Sequence, residues 1–229
     1  MKATDLVFLI DVDNTLLDND RFIADLHAHT ENRLGRDASD RYWAALATLT
    51  EELGYVDYLG AVQRLRASQD ANRMNDPHLL QLARFMLEYP FADRLYPRAL
   101  AVLQQLRQRA PTVIVSDGDA VFQPRKVQRS GLWDAVSGQV LIYVHKEHML
   151  DAIATACPAR RYVMIDDKLR ILSAMKAVWG TRLTTVFVRQ GHYAADTQAI
   201  AAFAPADICI ERIQDLAGLD WPPATGDTP

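Results

Sequence analysis

Leu6-Val7-Phe8-Leu9-Ile10-Asp11-Val12-Asp13-Asn14-Thr15-Leu16-Leu17-Asp18 is an apolar run that stops abruptly at two acids one residue apart. Unbroken apolarity over residues 6–10 is the pattern of a strand covered on both faces, and the turn formers Asn14 and Thr15 end it. Asp11 and Asp13 would then stand at the C-terminal edge of a parallel sheet, where open α/β sheets bind ligands. A polar turn whose Asp or Thr caps the next helix is the competing reading of the same residues.

Downstream of this stretch the pattern changes. Residues 19–93 lack β-branched runs and carry helical stripes: Ile23 and Leu26; Tyr42, Leu46, Leu49 and Leu53; Tyr58, Val62 and Leu65; Leu79, Leu82 and Met86. Gly35, Gly54 and Asn75-Asp76-Pro77 punctuate them, giving a bundle of about four helices. From Pro97 onward helix and strand alternate. Strands are expected at residues 112–115, 140–144, 162–165, 184–188 and 208–210, with helices between them, including one over residues 121–130 and one ended by Gly180. The tail from Trp221 is expected to be loosely ordered. The fold class is therefore α/β, a doubly wound parallel sheet interrupted after its first strand by an all-helical cap. Residues 1–18 and 94–229 form the core and residues 19–93 the cap.

Composition narrows the function classes. With 25 basic and 29 acidic residues in 229, the net charge of −4 offers no general attraction to nucleic acid or an anionic membrane. Cys157 and Cys209 lack metal-type spacing and read as buried free thiols. The apolar run at residues 6–10 is too short for a signal peptide or membrane span, so a reducing cytoplasm is expected.

In a parallel sheet Asp11 and Asp13, Ser116-Asp117-Gly118, Lys146 and Asp166-Asp167 converge on one edge. Singly, each has an ordinary reading as a turn, a solvated charge or a helix cap. Together, several acidic oxygens at one place repel unless a hard divalent cation lies among them, and Mg²⁺ favours such ligands. A serine hydroxyl, the N–H groups of a glycine turn and a lysine beside that cation make a phosphate cradle.

These four motifs, in this order, resemble those of the haloacid dehalogenase superfamily, and the helical segment resembles its type-one cap. The resemblance implies Asp11 as a nucleophile that becomes an aspartyl phosphate and Asp13 as general acid and base. It implies Mg²⁺ held by Asp11, the Asp13 carbonyl and Asp166, with Asp167 directly or through water. Ser116, Asp117, Gly118 and Lys146 would bind the phosphoryl group, and Thr15 would orient the loop. Asp13 favours phosphoryl transfer over dehalogenation, because expelling halide requires no leaving-group proton. Lys126 is the rival to Lys146, which is followed by Glu147 where the motif commonly has proline.

The implied activity is hydrolysis of a small phosphorylated metabolite, with a phosphomutase or a non-catalytic binding module as alternatives and the oligomeric state left open. Asp18-Asn19-Asp20 would be a flexible exit into the cap. His27, His29, Arg33, Arg36, Arg41, Tyr42 and Trp43 are candidate substrate contacts that also suit a solvated or core-facing helix surface.

Overall fold

The computed structural model describes residues 4–68 and 77–221. Asn75, Asp76 and the tail beyond Trp221, read above as turn and loose end, lie outside the described residues. β1 (Thr4–Ile10) is followed by α1 (Asn19–Leu34), α2 (Arg36–Leu53), α3 (Tyr58–Ala67) and α4 (Pro77–Glu88). Helix and strand then alternate through α5 (Ala99–Arg109), β2 (Thr112–Asp117), α6 (Phe122–Arg129), α7 (Leu132–Ala135), β3 (Val140–Tyr143) and α8 (Leu150–Ala156). The chain continues with β4 (Ala159–Asp166), α9 (Leu169–Trp179), β5 (Leu183–Val188), α10 (Gly191–Ala195), α11 (Thr197–Ala201) and β6 (Ile208–Ile210).

The six strands are parallel in the order β3-β2-β1-β4-β5-β6. β1 is buried on both faces, which is why its sequence shows no polar alternation. Leu6, Phe8 and Ile10 face the α5 side with Leu103 and Leu106, while Val7 and Leu9 face α8 and α9 with Ile153, Leu172 and Met175.

The insertion forms for local reasons. Asp18 caps α1, accepting from the Arg21 N–H at 2.9 Å, and Phe22, Leu26 and Thr30 line its buried face at four-residue spacing. The segment 18–20, expected as a flexible exit, is thus a hydrogen-bonded helix start: the Asn14 Oδ1 also accepts from the N–H groups of Asn19 and Asp20 at 3.0 and 3.2 Å. The two crossings between insertion and sheet lie side by side. Asp18 N–H donates to Arg94 O at 2.7 Å, Tyr96 N–H donates to Leu16 O at 3.0 Å, and Leu17 bridges Leu95 antiparallel.

Two expectations are corrected. Trp221 is buried, with its ring edge-on to Phe8 at 5.1 Å, because it completes the apolar layer that Phe8 shares with Leu103 and Leu106 on the α5 side of β1. Cys209 is exposed because β6 is an edge strand that turns this residue outward, and Cys157 is half-buried; both are free thiols. Among the described residues no helix is long and apolar enough to cross a membrane.

Phe22 fastens the insertion to the core, its ring lying 5.0–5.7 Å from those of Tyr58, Tyr89, Phe91 and Phe122. Phe22→Ala is expected to cost about 3–5 kcal/mol, seen as a lower urea midpoint with an unchanged slope.

Candidate active site

β1 sits between β2 and β4, the point from which the chain winds outward in both directions. Ile10 pairs with Ile114 and with Ile165, so the residues that follow all three emerge at one level. There Asp11, Asp166 and Asp167 are buried, with carboxylate oxygens within 4.8 Å of one another. Lys146 lies on a single 3₁₀ turn (Lys146–His148) after β3. Its Nζ is 2.5 Å from Asp11 Oδ1, 2.7 Å from Asp166 Oδ2 and 3.2 Å from the Val115 carbonyl. Its backbone N–H donates to Asp117 Oδ1 at 2.8 Å. Glu147, the departure from the common motif, ties this turn to α9 through a 2.5 Å pair with Arg170.

Charge is not balanced in this cluster. Burial alone would push the Lys146 ammonium down, but Asp11, Asp166 and Asp117 outweigh it and hold Lys146 above the ordinary lysine range. Burial, with Asp11 adding to it and Lys146 opposing, raises Asp166. Burial, then Asp166 and Asp11, raise Asp167 well above the usual carboxylate range. Both Asp167 oxygens are buried without a hydrogen-bond partner. Unpartnered buried oxygens beside two further carboxylates are a donor set that fits a hard divalent cation.

Asp13 is arranged differently. Its side chain is 24% exposed and receives Lys126 Nζ at 2.8 and 2.9 Å and Gln123 Nε2 at 3.2 Å. Gln123 also donates to Ser116 Oγ at 3.0 Å, linking the β1 and β2 ends. Gly118 permits this, since a Cβ there would stand 2.7 Å from the Gln123 Cβ. On the other side Asn14 has φ 59°, and Gly191 passes so close that a Cβ would lie 2.5 Å from the Asn14 Cβ. Thr15 is wholly buried with its hydroxyl unpartnered, while Gln190 Nε2 donates to its carbonyl at 3.2 Å.

A cavity of about 250 Å³ opens between this edge and the insertion. Asp13, Asp117 and Gly118 line it; Asp11, Thr15, Ser116, Lys146, Asp166 and Asp167 are not among its lining residues. The sequence-derived contacts early in the insertion do not face it. Tyr42 is core, its hydroxyl donating to the Tyr58 carbonyl at 3.2 Å, and Trp43 stacks on His27 at 4.9 Å. Instead the insertion supplies Ile23, Thr50, Tyr55, Val56 and Tyr58, and the core adds Lys126, His145, Lys168, Arg170 and His192. Apart from Lys126, weighed above as a rival to Lys146, their residue types gave no signal; only Gly54, which breaks α2 from α3, marks the joint that turns Tyr55 and Val56 inward.

A family model described as haloacid dehalogenase-like hydrolase matches residues 6–178. A solved haloacid dehalogenase-like hydrolase from Burkholderia xenovorans LB400 is 58% identical, covers 95% of this chain and 100% of its own, and superposes with a TM-score of 0.88. Two further structures share the fold. A magnesium-bound hydrolase from Bacillus subtilis is 18% identical over 95% and 98% of the two chains, TM-score 0.60. A 2-haloacid dehalogenase from Pseudomonas syringae pv. Tomato is 16% identical over 93% and 97%, TM-score 0.63. No curated protein matches the chain.

The raised Asp167 carboxyl gives a signed expectation. A carboxyl raised on folding contributes stability that is fully present below its unfolded value of about 3.9 and is lost as pH rises through the raised one. Metal-free protein is therefore expected to lose stability as pH rises above the ordinary carboxylate range, and added Mg²⁺ to raise Tm more at the higher pH. Thermal scans at a lower and a higher pH check this, and Asp167→Asn should remove most of the difference.

Proposed function

The chain belongs to the haloacid dehalogenase-like hydrolase family, and within it we propose a Mg²⁺-dependent phosphomonoesterase acting on a small phosphorylated metabolite. The insertion serves as its cap and the remainder as its catalytic core. One observation carries the reading: Asp13 stands at the cavity wall, clamped by Lys126 and Gln123, two residues beyond an Asp11 that is buried against Lys146. A reaction that expels halide has no use for this second carboxyl, whereas an alkoxide leaving group must be protonated.

The carboxylates of Asp11 and Asp166, with Asp167 directly or through water and the Asp13 carbonyl, would hold Mg²⁺. When bound, the cation supplies the positive charge that lets an anionic nucleophile approach an anionic phosphoryl group. Asp11 Oδ forms a bond to phosphorus while the phosphorus–oxygen ester bond breaks, and Asp13, which must first take up a proton on one of the oxygens that Lys126 holds, passes it to the departing oxygen. Ser116, the Asp117 N–H and Lys146 stabilise the equatorial oxygens as charge develops on them; the Gly118 N–H, expected from the sequence to join them, is already given to the Tyr143 carbonyl at 2.8 Å. Asp13, now ionised, takes a proton from water, whose oxygen attacks phosphorus. Phosphate leaves and the Asp11 carboxylate is restored. The cavity of about 250 Å³ suits a small substrate better than a phosphoprotein or a polynucleotide.

A panel of phosphorylated metabolites with and without Mg²⁺, run beside halide release from 2-haloacids, tests the reading. Metal-dependent phosphate release is expected; halide release without phosphate release overturns it. Asp11→Asn should lower turnover at least about 10³-fold with the fold intact by circular dichroism. Asp13→Asn should cost about 10²–10⁴ on an alkyl phosphate and far less on p-nitrophenyl phosphate, whose leaving group needs no proton.

A further inference from the structure

Lys126 is a buried lysine that the cation cluster does not use. It lies on the core helix α6, only 1% exposed, and its ammonium makes three hydrogen bonds: two to Asp13 and one, at 2.9 Å, to Asn19 Oδ1. Three phenyl rings surround the same nitrogen, those of Phe22 and Phe122 at 5.7 Å and of Phe91 at 5.9 Å. These rings also touch one another, with centroids 5.1–5.9 Å apart. An aromatic face offers a cation partial compensation for lost water.

The origin of these partners is what matters. Asn19 and Phe22 belong to α1, where the chain enters the insertion, and Phe91 to the 3₁₀ turn (Phe91–Arg94) by which it leaves. Asp13 belongs to the β1 edge. One ammonium therefore touches both crossings of the insertion and the acid at the cavity wall. A pivot of the insertion about its crossings withdraws Asn19, Phe22 and Phe91 together, which leaves the ammonium to seek water and frees the Asp13 carboxylate from a two-oxygen clamp.

We propose that Lys126 is a positioning residue that sets the Asp13 carboxylate according to how the insertion is seated, so that Asp13 is aligned for the leaving group only when the insertion is closed on the core. This deepens the phosphomonoesterase reading and rests on it for the role of Asp13. Lys126→Met keeps the length and apolar stem of the side chain and removes the charge, and Asn19→Ala keeps the ion pair with Asp13 while cutting one link to the insertion.

The test compares kcat and KM for p-nitrophenyl phosphate and glycerol 2-phosphate, alone and in an Asp13→Asn background, together with amide hydrogen exchange. Lys126→Met is expected to lower kcat on glycerol phosphate by about tenfold or more beyond its effect on the aryl ester, with KM changed less than about threefold. That excess should vanish in the Asp13→Asn background, and Asn19→Ala should show part of it. Exchange should quicken at residues 17–22 and 91–96 but not in β1 or β4, a pattern that general destabilisation does not give. Equal losses on both esters that persist without Asp13, or unchanged exchange at the crossings, overturn the proposal. Wild-type protein that hydrolyses neither ester overturns the phosphomonoesterase reading instead, and the exchange comparison still decides whether Lys126 couples the crossings.

Discussion

Three carboxylates within 4.8 Å, all buried, are the constraint around which the molecule is arranged. Like charges so close in a poorly solvating interior repel strongly, so something must hold them there and something must answer them. Strand register does the holding, because Ile10 is paired on both sides and the backbone that carries Asp11 and Asp166 cannot spread. Lys146 supplies one charge, delivered from a third strand end and anchored through its own N–H to Asp117. Asp167 feels the charges of Lys168 and Lys146 but has no hydrogen-bond partner for either oxygen, and that deficit makes the cluster a donor set suited to a cation rather than a closed salt bridge.

Against this buried set, the acids at and beside the cavity wall have closer partners. Lys126 pairs with Asp13, Arg170 pairs with Glu147, and the His192 backbone N–H donates to Asp20 at 2.8 Å. The contrast gives two carboxyls of one short loop different surroundings, one buried against Lys146 and one standing at the cavity wall.

Much of this was legible in the sequence because it depends on short-range pattern. Apolar runs ending in Asp11, Ser116 and Asp166 mark buried strands, and parallel alternation alone brings their ends together. The four helices of the insertion were equally plain from the spacing of Ile23 and Leu26, of Tyr42 and Leu46, of Tyr58, Val62 and Leu65, and of Leu82 and Met86. What escaped depends on rotation and docking. Lys126 stood out only as a rival to Lys146 for the same role, Gln123 looks like an ordinary polar position of an amphipathic helix, and nothing local says that their face of α6 meets Asp13. Which face of α1 and α2 turns toward the sheet is set by the aromatic packing at the crossings, so the early histidines and arginines stood out by type while Thr50, Tyr55 and Val56 held the position. Trp221 and Cys209 were misjudged for a related reason: burial at a sheet flank or edge follows from what packs there, not from the residue itself.

The pairing of Leu17 with Leu95, and of Asp18 with Arg94, has a wider meaning for how such a chain can change. Entry and exit of the helical segment are neighbours, so the sheet closes its own hydrogen bonds whatever lies between them. A different excursion, longer, shorter or of another architecture, can replace residues 19–93 without altering a single strand pairing. The buried acids and the segment above them are thereby separable inheritances: the core can keep its acids unchanged while that segment is exchanged wholesale, with only the few side chains that grip Lys126 obliged to be reinvented each time.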